Sequence, residues 1–276
     1  MRISGHGKET FLYLNGLRVT RPIRLGKNAE LLPASCSPEP DDIIAVSHTE
    51  IDIGVVALFL RSVASQIHIH AESSKELATT AWNTVWDAVL LSAFCNCDVI
   101  CNMQSDTPAE KFNAKSQLEI TNYHLRGFCS GAPHSMNDDE AIWFENNIGR
   151  SRSLLSLQHF QNAVHCLATY RWHSLPRVQL AVLWAGIEGL FGVESEIVFR
   201  LSLYAARFLE PGNDERRSKV FADVKRLYKQ RSAAVHGSII KGDLDAGVAD
   251  SVQLLSRLLR QCVASNGLPK TEALAP

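Results

Sequence analysis

Arg231 and His236 are the two residues of this chain best suited to act together on a phosphate. An imidazole can change its charge near neutral pH, so His236 could donate or accept a proton. A guanidinium binds anions through a rigid fork of donors, so Arg231 could contact an anion. We therefore interpret these two residues as candidates for chemistry on a phosphate.

A basic face surrounds this pair if the segment is helical. Three residues follow Lys225 at spacings of four, seven and eleven: Lys229, Ser232 and His236. On a helix these spacings place two amines, a hydroxyl and an imidazole on one line. Such groups suit contact with RNA phosphates. Residues 216–231 carry seven basic side chains against one acid, Asp223. The alternative is a solvated helix face that ends in an ordinary histidine before Gly237.

The apolar residues of the same segment indicate where Arg231 lies. They follow the period of one buried helix face: Val220, Phe221, Val224, Leu227 and Tyr228. The next position on that face is residue 231, so Arg231 needs an acidic partner or an anion to offset its desolvation. Glu188 is equally out of place in the apolar segment 178–191. We therefore predict that Glu188 faces Arg231 and supports it.

An unbroken helix would not aim Arg231 and His236 at one phosphate. Residues five apart point about 140° away from each other, since each residue turns the helix by about 100°. Three solutions remain open. The last turn unwinds near His236, Arg231 mainly orients its neighbours, or a dimer combines Arg231 of one chain with His236 of the other.

The segment Arg231–His236, RSAAVH, fits the R-x4-6-H motif of the HEPN superfamily. Three stretches in order resemble its Apea-like branch: AVLWAGIEGLFG at 181–192, SEIVFRLSLYAARFL at 195–209 and VFADVKRLYKQRSAAVHGS at 220–238. The resemblance covers roughly residues 150–262 and leaves the N-terminal half outside it.

This resemblance implies a helical bundle that dimerises and brings two R-x4-H motifs into one cleft. Many such proteins are metal-independent endoribonucleases of toxin–antitoxin or antiphage systems. Arg231 and His236 would be catalytic, and the products would be a 2′,3′-cyclic phosphate and a 5′-OH. RNA, a second copy and an antitoxin or other regulatory protein would be the partners. Ser238 stands where some relatives carry a Tyr that partner enzymes modify, so that control is not expected here.

The charge distribution divides the chain into two halves. Residues 1–149 hold 11 Lys/Arg and 18 Asp/Glu, whereas residues 150–262 hold 16 Lys/Arg and 10 Asp/Glu. The basic half suits a polyanion. The apolar content of 46% is enough for packed cores.

The N-terminal half is expected to be an acidic α+β domain over residues 1–129. Asn15-Gly16 predicts a type I′ hairpin between strands 10–14 and 18–25. Further strands are predicted at 45–53, 67–70 and 118–128, and a helix at 73–94. This half contains no recognised catalytic motif.

The C-terminal half is expected to be an all-α, HEPN-type helical bundle over residues 141–265. A polar linker, 130–140, precedes it and a flexible tail, 266–276, follows it. Five helices are predicted, at about 141–171, 176–191, 195–209, 214–236 and 244–264. Pro176 should start one of these helices, and Gly237 should end another.

Two groups of residues could hold a metal, although no metal or cofactor is expected. Cys95, Cys97 and Cys101 form a C-x-C-x3-C cluster to which His124 or Cys129 could add a fourth ligand. Half-buried thiols are the simpler interpretation. His68 and His70 share one face of a strand, where solvated side chains are commoner than ligands.

Three functions remain as hypotheses. The first is an RNA-cleaving effector whose acidic half senses a trigger, restrains the nuclease or selects substrates. The second is a non-catalytic HEPN module that binds nucleic acid or scaffolds a protein complex. The third is a nucleotide-binding regulator, which the lack of a Gly-rich phosphate loop disfavours. An odd number of cysteines, seven, and an N-terminus without an apolar core lead us to expect a cytoplasmic protein without a membrane partner.

Overall fold

The computed structural model describes residues 3–5, 7–121, 131–237 and 242–275. The chain divides into two compact units, Met1–Gly149 and Arg150–Pro276. The first is an α/β region with an antiparallel sheet, and the second consists mostly of helices. Within the described ranges, no helix combines the length and apolar character that crossing a bilayer requires.

A six-stranded sheet forms the centre of the first unit. Among the described residues this unit has eight strands, six of which form this sheet: β1 (Glu9–Asn15), β2 (Leu17–Arg18), β3 (Ile23–Arg24), β4 (Ala29–Pro33), β5 (Val63–His70), β6 (Ile100–Ser105), β7 (Leu118–Ile120) and β8 (His134–Ser135). The sheet has the order β3-β4-β5-β1-β6-β7 and all its pairs are antiparallel. Strands β2 and β8 pair in parallel as a separate small sheet.

Three helices of the first unit cover this sheet: α1 (Pro40–Val46), α2 (Glu50–Arg61) and α3 (Ser74–Phe94). Phe11 and Tyr13 of β1 share a buried apolar cluster with Phe59 of α2. Side chains alternate along a strand, so Leu12 and Leu14 face the other way, and α3 packs on β1. Strand β1 is therefore buried on both faces.

The predicted hairpin at Asn15-Gly16 is wrong. Strand β1 pairs with β5 and β6, and β2 pairs with β8 instead of β1. A type I′ turn needs positive φ at both central residues. Gly16 has φ of 86°, but Asn15 is not among the residues with positive φ. The turn residues fitted a hairpin, but the neighbours of β1 come from distant parts of the chain.

The predicted strand at 45–53 is also wrong, because this region ends α1 and begins α2. The capping residues explain why. Glu39 and Asp42 form a capping box at α1, and the Thr49 side chain accepts a hydrogen bond from the Asp52 backbone N–H at α2. The predicted helix at 73–94 is confirmed, with Ser73 as its N-cap. Of the strand predicted at 118–128, β7 is present and residues 122–128 lie outside the described ranges.

Among the described residues, the rest of the chain is mostly helical. They are α4 (Asp138–Leu154), α5 (Gln158–Thr169), α6 (Pro176–Phe191), α7 (Ile197–Leu209), α8 (Asp214–Val235), α9 (Leu244–Ser265) and α10 (Thr271–Leu274). Four of the five predicted helices are confirmed almost to the residue, with Pro176 and Gly237 at the expected ends. The segment predicted as one helix, 141–171, is instead α4, α5 and a 3-10 turn.

The expected linker and tail both carry secondary structure. Residues 130–140 include β8 and the first turn of α4. Residues 266–276 include α10, where Arg207 of α7 donates hydrogen bonds to the carbonyls of Leu274 and Ala275 at 2.7 and 2.6 Å. The sequence could not predict this contact, because Arg207 precedes Leu274 by 67 residues.

Helix α6 is the centre of the second unit. It packs against α5, α8 and α9, and buries Leu183, Trp184 and Ile187. The indole N–H of Trp184 donates to the hydroxyl of Ser251 in α9 at 3.1 Å. Gly186 allows the close approach, because a Cβ there would lie 3.0 Å from the Cβ of Cys166.

Adding a methyl group at Gly186 should destabilise the second unit. A Cβ at position 186 would also lie 3.2 Å from Leu255 and 3.3 Å from Ala163. We expect Gly186→Ala to cost about 1–3 kcal/mol through overpacking. Gly189→Ala, one turn along the same helix with no atom within 4 Å of the new Cβ, should instead stabilise by about 0.5–1 kcal/mol. Thermal unfolding followed by circular dichroism measures both. Equal effects of the two variants would contradict this packing.

Candidate nucleic-acid site

The basic segment singled out from the sequence is α8, and its ends are well defined. The Asn213 side chain accepts a hydrogen bond from the Arg216 backbone N–H and caps the start. The helix continues to Val235, and the backbone N–H of His236 still donates to the Ser232 carbonyl at 3.0 Å. Gly237, with φ of 70°, then turns the chain away. His236 therefore stands at the carboxyl end of α8.

The basic face of α8 is present as a geometric feature. The helix is unbroken from Lys225 to Ser232, so the spacing places these residues and His236 on one line. Lys225, Lys229 and His236 are exposed, and Ser232 is half-buried. This face offers mobile charged groups to solvent.

Other basic residues of α8 are already engaged. Arg226 forms an ion pair with Asp250 of α9 at 2.7 Å. Arg217 forms an ion pair with Asp214 and donates to the backbone carbonyls of Glu210 and Pro211. These arginines bind within the second unit, so they contribute less to an outward-facing site than their number in the sequence indicated.

The predicted contact between Glu188 and Arg231 is present. The Nη2 atom of Arg231 lies 3.0 Å from Oε1 and 3.2 Å from Oε2 of Glu188. The exposed fractions of the two side chains are 20% for Arg231 and 28% for Glu188. Arg231 also lies over the Tyr228 ring, 5.6 Å from its centroid. The pair joins α8 to α6 at the position where the apolar stripe would continue.

Burial dominates the electrostatics of this pair. It raises the pKa of Glu188 above its usual range, and the opposing effect of the Arg231 charge does not cancel it. The buried Nε of Arg231 finds no hydrogen-bond acceptor among the described residues. In this arrangement the Arg231 guanidinium is turned inward, toward Glu188.

The structure does not bring Arg231 and His236 together within one chain. Arg231 contacts Glu188 and Tyr228, whereas His236 is exposed at the helix end, outside the helical turns. Of the three solutions left open by the sequence, the first places an unwound last turn near 235–237. The helix is regular through Val235 and the chain leaves it at Gly237. Orientation by Arg231 and combination across two chains both remain compatible with this geometry.

Arg177, in the first turn of α6, is a site residue that the sequence did not reveal. Its Nη1 donates to the carbonyls of Ala233 and Ala234 at 3.2 and 3.1 Å. These carbonyls belong to the last turn of α8, where a cation is favoured by the helix dipole. Arg177 thereby fixes the turn that precedes His236. No local pattern could predict a contact over 56 residues.

The metal candidates from the sequence are placed differently from expectation. His68 and His70 share a face with ring centroids 6.1 Å apart, but Nε2 of His68 lies 2.9 Å from a carboxylate oxygen of Glu9. Cys101 is buried in β6, and its burial raises the pKa of the thiol to about 12. Cys95 lies beside two further residues from outside the C-x-C-x3-C cluster, His134 and Glu140. His124 and Cys129 lie outside the described residues.

Comparisons of the chain with protein-family models, with curated proteins and with solved structures found no match.

Replacing Glu188 by Gln should change how stability depends on pH. A raised pKa means that the folded protein binds this proton more tightly than the unfolded chain does. The contribution of Glu188 to the free energy of unfolding therefore falls as the pH rises from the ordinary pKa of a glutamate, about 4.3, through the raised pKa of Glu188. We expect the difference in Tm, wild type minus Glu188→Gln, to shrink over that interval.

Thermal unfolding at a series of pH values measures this difference. Glu194→Gln, at a nearby exposed position, controls for the loss of one negative charge. A difference that grows with pH would mean that attraction to Arg231 outweighs burial, contrary to our interpretation.

Proposed function

We propose that this protein is a metal-independent endoribonuclease of the HEPN type, similar to the Apea-like branch, and that His236 is its proton-transfer group. The observation that supports this most is the line of exposed groups on α8, which runs from Lys225 through Lys229 to His236. Two ammonium groups can hold phosphates of one RNA strand while the imidazole, farther along the same line, meets a ribose of that strand.

The proposed reaction is internal transesterification. His236 removes the proton of a ribose 2′-OH as that oxygen attacks the adjacent phosphorus. The bond from phosphorus to the 5′ oxygen breaks, and a proton is returned to that departing oxygen. The products are a 2′,3′-cyclic phosphate and a 5′-OH, and the reaction needs no cofactor.

Arg231 has two roles in this proposal. Within one chain it is a positioning residue, because it binds Glu188 and so holds the last turns of α8 against α6. In a dimer it would also add positive charge near the phosphate that the 2′-oxygen attacks when the other chain's His236 takes its proton. The second role requires the guanidinium to release part of its contact with Glu188.

A homodimer would form through an apolar patch beside His236. Four large side chains are exposed there: Trp172, Leu175, Val178 and Val235. Arg177 ties the start of α6 to the end of α8, which brings Leu175 and Val178 near Val235, and Trp172 lies in the 3-10 turn that precedes α6. We assign this patch to a second copy, since one chain does not align its own Arg231 and His236. Exposed patches of this kind commonly mark interfaces.

The acidic first unit would regulate or direct the nuclease. It could sense a trigger, restrain cleavage or select RNA, in a toxin–antitoxin or antiphage system, with an antitoxin or regulatory protein as partner. We expect this activity in the cytoplasm.

A non-catalytic HEPN module that binds nucleic acid or scaffolds a protein complex is the second candidate. One observation favours it: the Arg231 guanidinium is engaged by Glu188 and lies apart from His236. In that case the basic face of α8 would bind RNA without cleaving it, and loss of the imidazole would leave binding almost unchanged.

Replacing His236 by Ala should abolish RNA cleavage. Loss of a general acid–base group costs about 10²–10⁴ in rate. The variant should keep its fold, because His236 is exposed and its backbone bond to Ser232 does not need the side chain. Cleavage of mixed RNA by the full chain in EDTA is measured on denaturing gels, with 2′,3′-cyclic phosphate as the diagnostic product.

His159→Ala is the matched control, since His159 is an exposed histidine of α5 in the same unit. It should cleave at the wild-type rate. If His236→Ala cleaves as fast as the parent, or the parent does not cleave, the binding-module candidate replaces the nuclease.

Replacing Leu175 by Asp should dissociate the dimer. Leu175 is 62% exposed, so a carboxylate there is harmless to the monomer but would be desolvated in an interface. Light scattering at micromolar concentration should give a dimer for the wild type and a monomer for Leu175→Asp. Phe199→Asp, also exposed but on α7, should remain dimeric. A wild-type monomer would exclude this assembly.

A further inference from the structure

Three side chains from separate elements of the first unit converge on one point. They are Cys95 after α3, His134 in β8 and Glu140 in α4, and their ligand atoms lie within 4.8 Å of one another. The Nε2 atom of His134 is 3.1 and 3.0 Å from the two carboxylate oxygens of Glu140. A thiol, an imidazole and a carboxylate are all common metal ligands.

The end of α3 fixes Cys95. Asn96, with φ of 50°, ends the helix in the left-handed conformation, and the Cys97 backbone N–H donates back to the Ser92 carbonyl at 3.2 Å. The Ser92 hydroxyl then donates to the Cys97 carbonyl at 2.6 Å. The Cys95 side chain is buried, at 5% exposure. The backbone position of Cys95 is therefore fixed.

The other two ligands are equally well held. His134 pairs with Leu17 of β2, and its backbone N–H donates to the Gly16 carbonyl at 2.9 Å. Glu140 is in the first turn of α4, where its carboxylate accepts from the Asn137 backbone N–H at 3.0 Å. If one carboxylate oxygen of Glu140 keeps this hydrogen bond, its other oxygen is available to a metal.

Aromatic packing holds the thiol and the carboxylate near each other. Phe94, next to Cys95, stacks at a tilt on Trp143 of α4, with 4.6 Å between ring centroids. Trp143 follows Glu140 by one helical turn, so the contact joins the end of α3 to the start of α4. The ligands thus lie on a preformed framework, as metal sites require.

We propose that Cys95, His134 and Glu140 bind one Zn²⁺ ion. In a tetrahedral zinc site the sulfur and nitrogen ligand atoms lie about 3.6 Å apart, given bond lengths of about 2.3 and 2.0 Å. A separation of at most 4.8 Å closes to that value with a shift of about 1 Å. The mixture of thiolate, imidazole and carboxylate suits zinc better than calcium or magnesium, which prefer oxygen alone.

The charges also balance. On binding, Cys95 releases its thiol proton to solvent, so a thiolate, a carboxylate and Zn²⁺ sum to zero at a largely buried point. The contact between His134 and Glu140 is replaced by a bond from each to the metal. His134 remains 33% exposed, which leaves room for water as a fourth ligand. This proposal revises the sequence-based expectation that the chain holds no metal, and it assigns Cys95 different co-ligands.

A salt bridge between His134 and Glu140 is the simpler interpretation, and cobalt distinguishes the two. The full-length protein is treated with chelator, dialysed and titrated with Co²⁺ and then Zn²⁺. A thiolate bound to Co²⁺ gives an intense near-ultraviolet charge-transfer band, which an ion pair cannot produce. We expect one equivalent of Co²⁺, displaced by Zn²⁺, with this band present.

Three variants identify the ligands. Cys95→Ala should abolish the band. His134→Ala, at a half-exposed position that should tolerate the change, should weaken Zn²⁺ binding by about 100-fold or more, since loss of an outer-shell partner alone costs 10–100-fold. Cys97→Ala, two residues from Cys95 and outside the group, should bind as the wild type does. Circular dichroism checks the fold of each variant. No band in the wild type, a band that survives in Cys95→Ala, or unchanged affinity in His134→Ala would each overturn the proposal.

Discussion

The half-buried ion pair between Glu188 and Arg231 is the interaction on which the organisation of the second unit depends. Helix α6 can bury apolar side chains against α5, α8 and α9 only if its one carboxylate is compensated. Arg231 supplies that charge from the side of α8 that buries Val224 and Leu227, while Lys225 and Lys229 face solvent. The ion pair and the apolar stripe therefore set the same rotation of α8 about its axis. A structural pair thus helps to determine which residues of the basic helix are available to a ligand.

Arg177 complements this constraint at the end of α8. The ion pair and the apolar stripe set the rotation of the helix, and the guanidinium of Arg177 satisfies two carbonyls of its last turn. Without such a partner, the last turn of a helix frays, because its carbonyls have no donors within the helix. An imidazole one residue beyond the helix would then have no defined position. Two arginines therefore control where His236 is, although neither needs to contact a substrate to do so.

The sequence predicted the second unit well because its helices carry local information. An apolar stripe, a Pro at position 176 and a Gly at position 237 define α6 and α8, and two charges on apolar faces predicted the pair between Glu188 and Arg231. The sheet was harder to predict from the sequence. Strand β1 takes its partners from residues 63–70 and 100–105, so the turn residues beside it say little about what it pairs with. The same limit applies to Arg177 and to the group of Cys95, His134 and Glu140, which only tertiary folding brings together.

Gly186 bears on how this protein could diverge over evolution. Its missing side chain lets α6 lie against Cys166, Ala163 and Leu255, so the spacing of three helices depends on one hydrogen atom in place of a methyl group. If His236 transfers protons in RNA cleavage, as proposed, a lineage that lost this activity would be released from selection on His236 at once, since that side chain is exposed. It would not be released from selection on Gly186. Among distant descendants of this architecture, the glycine should therefore persist after the histidine has drifted.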